Sequence, residues 1–222
     1  GSPADAQRAS RQEAGVAPAP AVITPLSDVE IARRVQAAVK RYQARPEFVG
    51  LSVAVARGDR VIVDEGVGMA DLEWKAPADA KSPFRIGSLT KQFTAAAIMK
   101  LHEQGKIGLD DSIAKYLPDF DTEGHMVTIR QLLTHTSGIP NYTSQPGFFA
   151  RQAPLDLSDK ELLATIKGVP FDFDPGAKWE YSNTNYYLLG MIVAKLSGMT
   201  YADYMQQAFF RPLGLTHTRY GA

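Results

Sequence analysis

The sequence predicts an α+β chain with its strands near the front and its helices behind, and three observations carry that prediction. A capped, periodic helix opens the ordered part; two short alternating runs joined by a glycine turn follow it; from about Ala70 onward only helical signals remain, punctuated by Gly, Pro, Asp and Asn. The first helix starts at Ser27-Asp28-Val29-Glu30, a capping box with serine at the cap and glutamate three residues later. Val29, Ala32, Val35, Ala38, Val39 and Tyr42 recur at helical spacing, and Pro46 closes the run. Val49 to Ala56 and Val61 to Gly66 then alternate as strands, and Arg57-Gly58-Asp59-Arg60 between them predicts a hairpin. Two strands alone are marginal and want further partners, which the sequence reading places after Ala222.

The helical part is read from its start and stop signals. A helix from Ser88 to about Gln104 ends at Gly105 and is apolar on most sides, the pattern of a central helix. Thr128 can cap Ile129 to Leu133, and Ser158 with Glu161 makes a second capping box for a helix ending near Gly168. Asn183 to Leu196 is a further apolar helix closed by Gly198, and Thr200 starts one that stops before Pro212. The expected organisation is a flexible leader over residues 1–26 beginning with a Gly1-Ser2 cloning remnant, a helix and hairpin over 27–70, and a helical lobe over 71–222. The leader is rich in Ala, Pro, Gln and Arg, too poor in large apolar side chains to offset its ordering entropy. Such leaders commonly follow a removed export signal, so a periplasmic or secreted location is the expectation.

Composition narrows the function. Twenty-four basic residues balance 24 acidic ones over 222 positions, so no net field argues for nucleic acid or an anionic membrane. No apolar run is long enough to span a bilayer. The chain has no cysteine, which excludes a disulfide framework, a thiolate metal site and a cysteine nucleophile. No Gly-x-Ser-x-Gly elbow and no His-Glu-x-x-His pattern occurs, which disfavours an α/β-hydrolase arrangement and a zinc site. His102, His125 and His217 are isolated, and His135 is read as a turn-stabilising hydrogen bonder. No metal or cofactor is expected.

Ser88-Leu89-Thr90-Lys91 and Tyr181-Ser182-Asn183 point instead to nucleophilic chemistry without histidine. Residues three apart share a helix face, so the Lys91 amine can reach the Ser88 hydroxyl. Ser112-Ile113-Ala114-Lys115 matches the same spacing, but its segment follows two aspartates and is broken by Pro118, the pattern of a capped surface turn. Lysine and tyrosine titrate near ~10.4 and ~10, so either must be perturbed to accept the serine proton near neutrality. Burial would favour a neutral Lys91, whereas a nearby ammonium would favour a Tyr181 phenolate; the pair titrates as one set and the sequence leaves the base open. Asn183 would offer its amide to Lys91 or to a substrate carbonyl. The Ser88 backbone N–H, at a helix start, supplies half of an oxyanion hole.

These motifs resemble the serine β-lactamase and penicillin-binding protein superfamily, and the tyrosine form of the second motif resembles its class C β-lactamase, D-alanyl-D-alanine peptidase and esterase branch. Gln131 to Ile139, Pro175-Gly176 and Pro212-Leu213-Gly214-Leu215 resemble that branch too, so the likeness runs from about Ser27 to the end. The resemblance implies a two-lobed transpeptidase-like fold. It makes Ser88 the acylated nucleophile, Lys91 and Tyr181 the proton carriers and Asn183 a substrate contact, with a small-molecule or peptide substrate. The superfamily's third motif, Lys-Thr-Gly or His-x-Gly, has no match after Asn183, so the resemblance also implies a fragment whose remaining strands belong to a second polypeptide or were cut away. The rival reading is a binding or regulatory module that keeps the fold without turnover.

Overall fold

The computed structural model describes residues 25–221, which form two compact units divided between Ser82 and Pro83. Nearly all of the expected leader, residues 1–24, lies outside the described residues. In the first unit, helix α1 (Asp28–Gln43) is followed by strands β1 (Gly50–Arg57), β2 (Arg60–Asp71) and β3 (Ala76–Pro77), paired antiparallel in the order β1-β2-β3. Ser27 caps α1 by accepting from the Glu30 N–H at 3.2 Å, but only that half of the predicted box forms. The Glu30 carboxylate turns instead to Arg33 and Arg34 at 2.7 and 2.8 Å, because two guanidinium groups one turn ahead offer charge-assisted bonds that a backbone N–H does not match. The ridge facing inward is Ile31, Val35 and Val39 rather than one beginning at Val29, which is 80% exposed.

The hairpin turns through Gly58 and Asp59, with Gly58 at φ +58°, a first loop position that favours glycine. Register runs from Gly50 opposite Gly68 to Arg57 opposite Arg60, with an irregularity between Val55 and Ala56. Asp28, in the first turn of α1, bridges Arg57 and Arg60 at 2.8 and 2.5 Å and so ties that helix to the hairpin end. Strand pairing continues beyond residue 70, where the sequence reading began the helical lobe: Met69 pairs with Pro77 and Asp71 with Ala76. Two residues, one of them proline, carry no periodic signal, so this third strand was invisible without its partner, and the first extra strand precedes Ala222 rather than following it.

The second unit holds α2 (Thr90–Glu103), α3 (Ile129–Leu133), α4 (Phe148–Arg151), α5 (Asp159–Ala164), α6 (Asn183–Ser197) and α7 (Tyr201–Met205), the last continuing into a wide π-type turn at Gln206–Phe210. Its core is Ala97, Ile98 and Leu101 of α2 against Leu188, Leu189, Ile192 and Val193 of α6, closed by Ile113, Ile129 and Leu132. Among the described residues α2 exposes one stripe, Gln92, Ala96, Met99, His102 and Glu103, and buries or half-buries the rest, in keeping with a helix apolar on most sides. Thr128–Gln131 and Ser158–Glu161 both form complete capping boxes. Gly105 and Gly198 take positive φ at the two predicted helix ends. No described helix is long and apolar enough to cross a membrane.

Candidate active site

Ser88 sits in a 3-10 turn, Gly87–Leu89, that feeds directly into α2, and Lys91 follows one turn on. Tyr181 and Asn183 come from the start of α6 and the extended segment before it. Packing of α2 on α6 brings these ends together across more than ninety residues of chain. The Ser88 Oγ lies 2.6 Å from the Tyr181 hydroxyl, and the Lys91 Nζ donates to Ser88 Oγ at 3.4 Å and to Asn183 Oδ1 at 2.7 Å. All four residues singled out in the sequence therefore converge on one spot. Ser112 stays apart: its hydroxyl accepts from the Ala114 N–H at 3.3 Å, and Lys115 pairs with Asp111 at 2.8 Å, a capped surface turn.

The electrostatics of the cluster follow from Lys91. Its ammonium stands 4.6 Å from the centre of the Tyr181 ring. Burial alone would raise the Tyr181 phenol, but the Lys91 charge and the bonds to Lys91 and Ser88 outweigh it and leave the phenol below its ordinary value. The neighbouring Tyr186 and Tyr187 are half-buried aromatics with satisfied hydroxyls. Tyr186 donates to the Leu133 carbonyl at 3.0 Å and Tyr187 to Asp159 at 2.5 Å.

A supporting shell went largely unread in the sequence. Asn141 Oδ1 accepts from the Asn183 N–H at 3.1 Å and from the Thr143 hydroxyl at 3.0 Å, and that hydroxyl accepts from Asn183 Nδ2 at 3.0 Å. The Asn183 amide is thus held with its oxygen toward Lys91. The available signal was Asn141 itself, a good cap for the 3-10 turn Tyr142–Ser144, but nothing local links it to Asn183. His135 does more than steady its own turn. Its Nδ1 accepts from the Ser182 N–H at 3.2 Å and its carbonyl from the Glu180 N–H at 2.9 Å, so both neighbours of Tyr181 are pinned. Its ring lies 4.7 Å from the Tyr181 ring, at a backbone φ of +57°. Burial, aided by the Lys91 charge, keeps this imidazole below its ordinary value, consistent with an acceptor Nδ1. Gly138 lets the Phe173 carbonyl approach so closely that a Cβ would meet it at 1.9 Å.

Ser88, Lys91 and Asn183 open onto a cavity of about 590 Å³ that runs along one stripe of α6. Tyr142 and Phe149 line it, whereas Phe148 turns inward and is 6% exposed.

Comparison with known proteins places the chain in a family. The family model described as Beta-lactamase matches residues 35–222. Penicillin-binding protein 4* of Bacillus subtilis (strain 168) is 38% identical over 176 residues, covering 78% of this chain and 38% of that protein. Among solved structures, the octameric penicillin-binding protein homologue from Pyrococcus abyssi superposes with a TM-score of 0.74 at 31% identity, covering 83% of this chain and 43% of that one. The D-amino acid amidase from Ochrobactrum anthropi SV3, complexed with L-phenylalanine, gives 0.71 at 32% identity, covering 82% and 50%. The chain spans half or less of the length of these relatives.

Proposed function

The chain belongs to the beta-lactamase family, with serine hydrolases among its relatives, and from that premise we propose that it forms an acyl-enzyme on Ser88 and cleaves amide or ester bonds. The observation that carries the proposal is the 2.6 Å separation of Ser88 Oγ from the Tyr181 hydroxyl, with the Lys91 ammonium beside both. A cation next to a phenol favours the phenolate, so Tyr181 takes the Ser88 proton as Oγ attacks the carbonyl carbon. The developing oxyanion faces the Ser88 backbone N–H, among the first donors of a helical segment and so without an intrahelical partner. Collapse of the tetrahedral intermediate breaks the bond to the leaving amine or alcohol, which takes the proton from Tyr181. Water then attacks the acyl carbon, giving its proton to the same phenolate; collapse breaks the bond to Ser88 Oγ, which takes that proton back from Tyr181 as the acid departs.

Lys91 stabilises the negative charge on Tyr181 throughout, and Asn183 holds Lys91 at 2.7 Å while its amide faces the cavity where substrate enters. The substrate class we propose is a β-lactam, a D-alanyl-D-alanine-type peptide or a small ester, handled in the periplasm or outside the cell.

Labelling with a fluorescent penicillin and with a fluorophosphonate, followed by mass mapping, tests the reading. The adduct is expected on Ser88 and is expected to vanish in Ser88→Ala and nearly vanish in Lys91→Ala. An adduct elsewhere, or none at all, favours the binding-module alternative.

A further inference from the structure

One part of the cavity wall is not explained by acyl transfer. One turn of α6 beyond Asn183, about 6 Å along the helix axis, Tyr187 projects into the same space and donates its hydroxyl to Asp159 Oδ1 at 2.5 Å. Asp159 is exposed, lines the cavity, and has no ion-pair partner among the described residues. Tyr142, Phe149 and Tyr220 line the same cavity, and the Tyr142 and Tyr187 rings meet edge to face at 6.1 Å between centres. A carboxylate held by a tyrosine hydroxyl but lacking a counter-cation, in a cavity lined by aromatic rings, suits a cation with an apolar coat, attracted by the anion and by the negative faces of the rings. Lys91 lines the same cavity and gives it a direction, repelling a cation near Ser88 and favouring its approach to Asp159. Burial, reinforced by Asp159, holds the Tyr187 phenol above its ordinary value, so it stays a donor and orients the carboxylate through one oxygen.

We infer that the part of the cavity lined by Tyr187 and Asp159 is a recognition site for an ammonium group, and that the substrate carries such a group a turn or more of helix away from the bond broken at Ser88. The inference rests on the acyl-transfer reading for the identity of the ligand as substrate, but the cation site itself can be tested without turnover. Calorimetric titration of the Ser88→Ala protein with a phenylpropyl-trimethylammonium ion and with its neutral tert-butyl isostere is the direct experiment. The cation is expected to bind at least ~10-fold tighter, the ratio expected where a desolvated cation–aromatic contact adds to a charge pair. Adding Asp159→Asn should bring the ratio toward one, and Asp159→Glu should retain part of it. Equal affinities, no measurable binding of either compound, or a ratio unmoved by Asp159→Asn overturns the inference. Fluorophosphonate labelling of the unsubstituted chain separates the two readings: a cation preference without Ser88 labelling leaves the site and removes the chemistry, and labelling without the preference does the reverse.

Discussion

At the scale of single residues, the Lys91 ammonium is the organising charge. It touches Ser88, Asn183 and the face of Tyr181, lowers the Tyr181 phenol, and adds to the burial that lowers the His135 imidazole. The pH profile of acylation should therefore rise toward the alkaline side along a limb that begins below the usual phenol range. In Lys91→Ala the residual reaction should show that limb displaced to higher pH, because the charge favouring the phenolate is gone; stopped-flow acylation across pH 6–11 would register an unmoved limb as a failure of the Tyr181 assignment. Ser112→Ala should leave the acylation rate within about twofold of the parent, since its hydroxyl does no more than cap a turn. Both serines satisfy the same four-residue spacing, and only context separated them: an apolar helix behind one, aspartates and a proline around the other. The residues that meet at Ser88 were legible at this scale. Asn141 and Thr143 were not, because their bonds to Asn183 span some forty residues and leave no periodic trace.

Among the elements, those with local causes were read closely. The capping boxes at Thr128 and Ser158 and the glycine stops at Gly105 and Gly198 depend on contacts within one turn, so spacing alone reveals them. Ser158→Ala should cost about 1 kcal/mol in urea unfolding, the usual loss of a helix cap. Where two local partners compete, or the partner lies beyond the turn, reading fails: Glu30 left its box for two arginines one turn ahead, and β3 exists only because β2 extends far enough to meet it. The segment from His135 to Asn183 adds a titratable staple. His135 is lowered in the folded state, so between that value and about 6.5 the unfolded chain binds the extra proton. Stability should accordingly be full above about pH 7 and decline as pH falls through the ordinary histidine range. Thermal melts of the parent and of His135→Gln compared at pH 7.5 and 5.5 would expose the difference, with the substituted chain losing less between the two; equal losses would remove His135 from the account.

For the molecule as a whole, the packing of α2 against α6 is what makes a site from two distant motifs. Leu189 is fully buried in that contact. Leu189→Ala should destabilise the second unit by about 2–5 kcal/mol and lower its melting temperature, with Ser88 labelling lost in parallel on warming, since the Ser88–Tyr181 separation depends on this packing. Labelling that outlasts the loss of tertiary structure would separate the site from the fold that is argued to hold it. The chain covers 38% of one curated relative and half of the amidase structure, and the activity proposed for the whole protein is argued from the part that carries Ser88, Lys91, Tyr181 and Asn183.

Sequence alone determined what short-range physics governs: which residues start and stop helices, where the hairpin turns, and that a hydroxyl, an amine, a phenol and an amide of the right chemistry were present in recognisable motifs. Tertiary structure alone decided what depends on surfaces meeting across the chain, namely the orientation of the Asn183 amide, the pinning of Tyr181 by His135, and the aromatic cavity that Asp159 lines. The reason is one of range. A cap or a turn is worth its energy within four residues, whereas a phenol 2.6 Å from a serine ninety-three positions away is placed by the burial of a core that no single segment encodes.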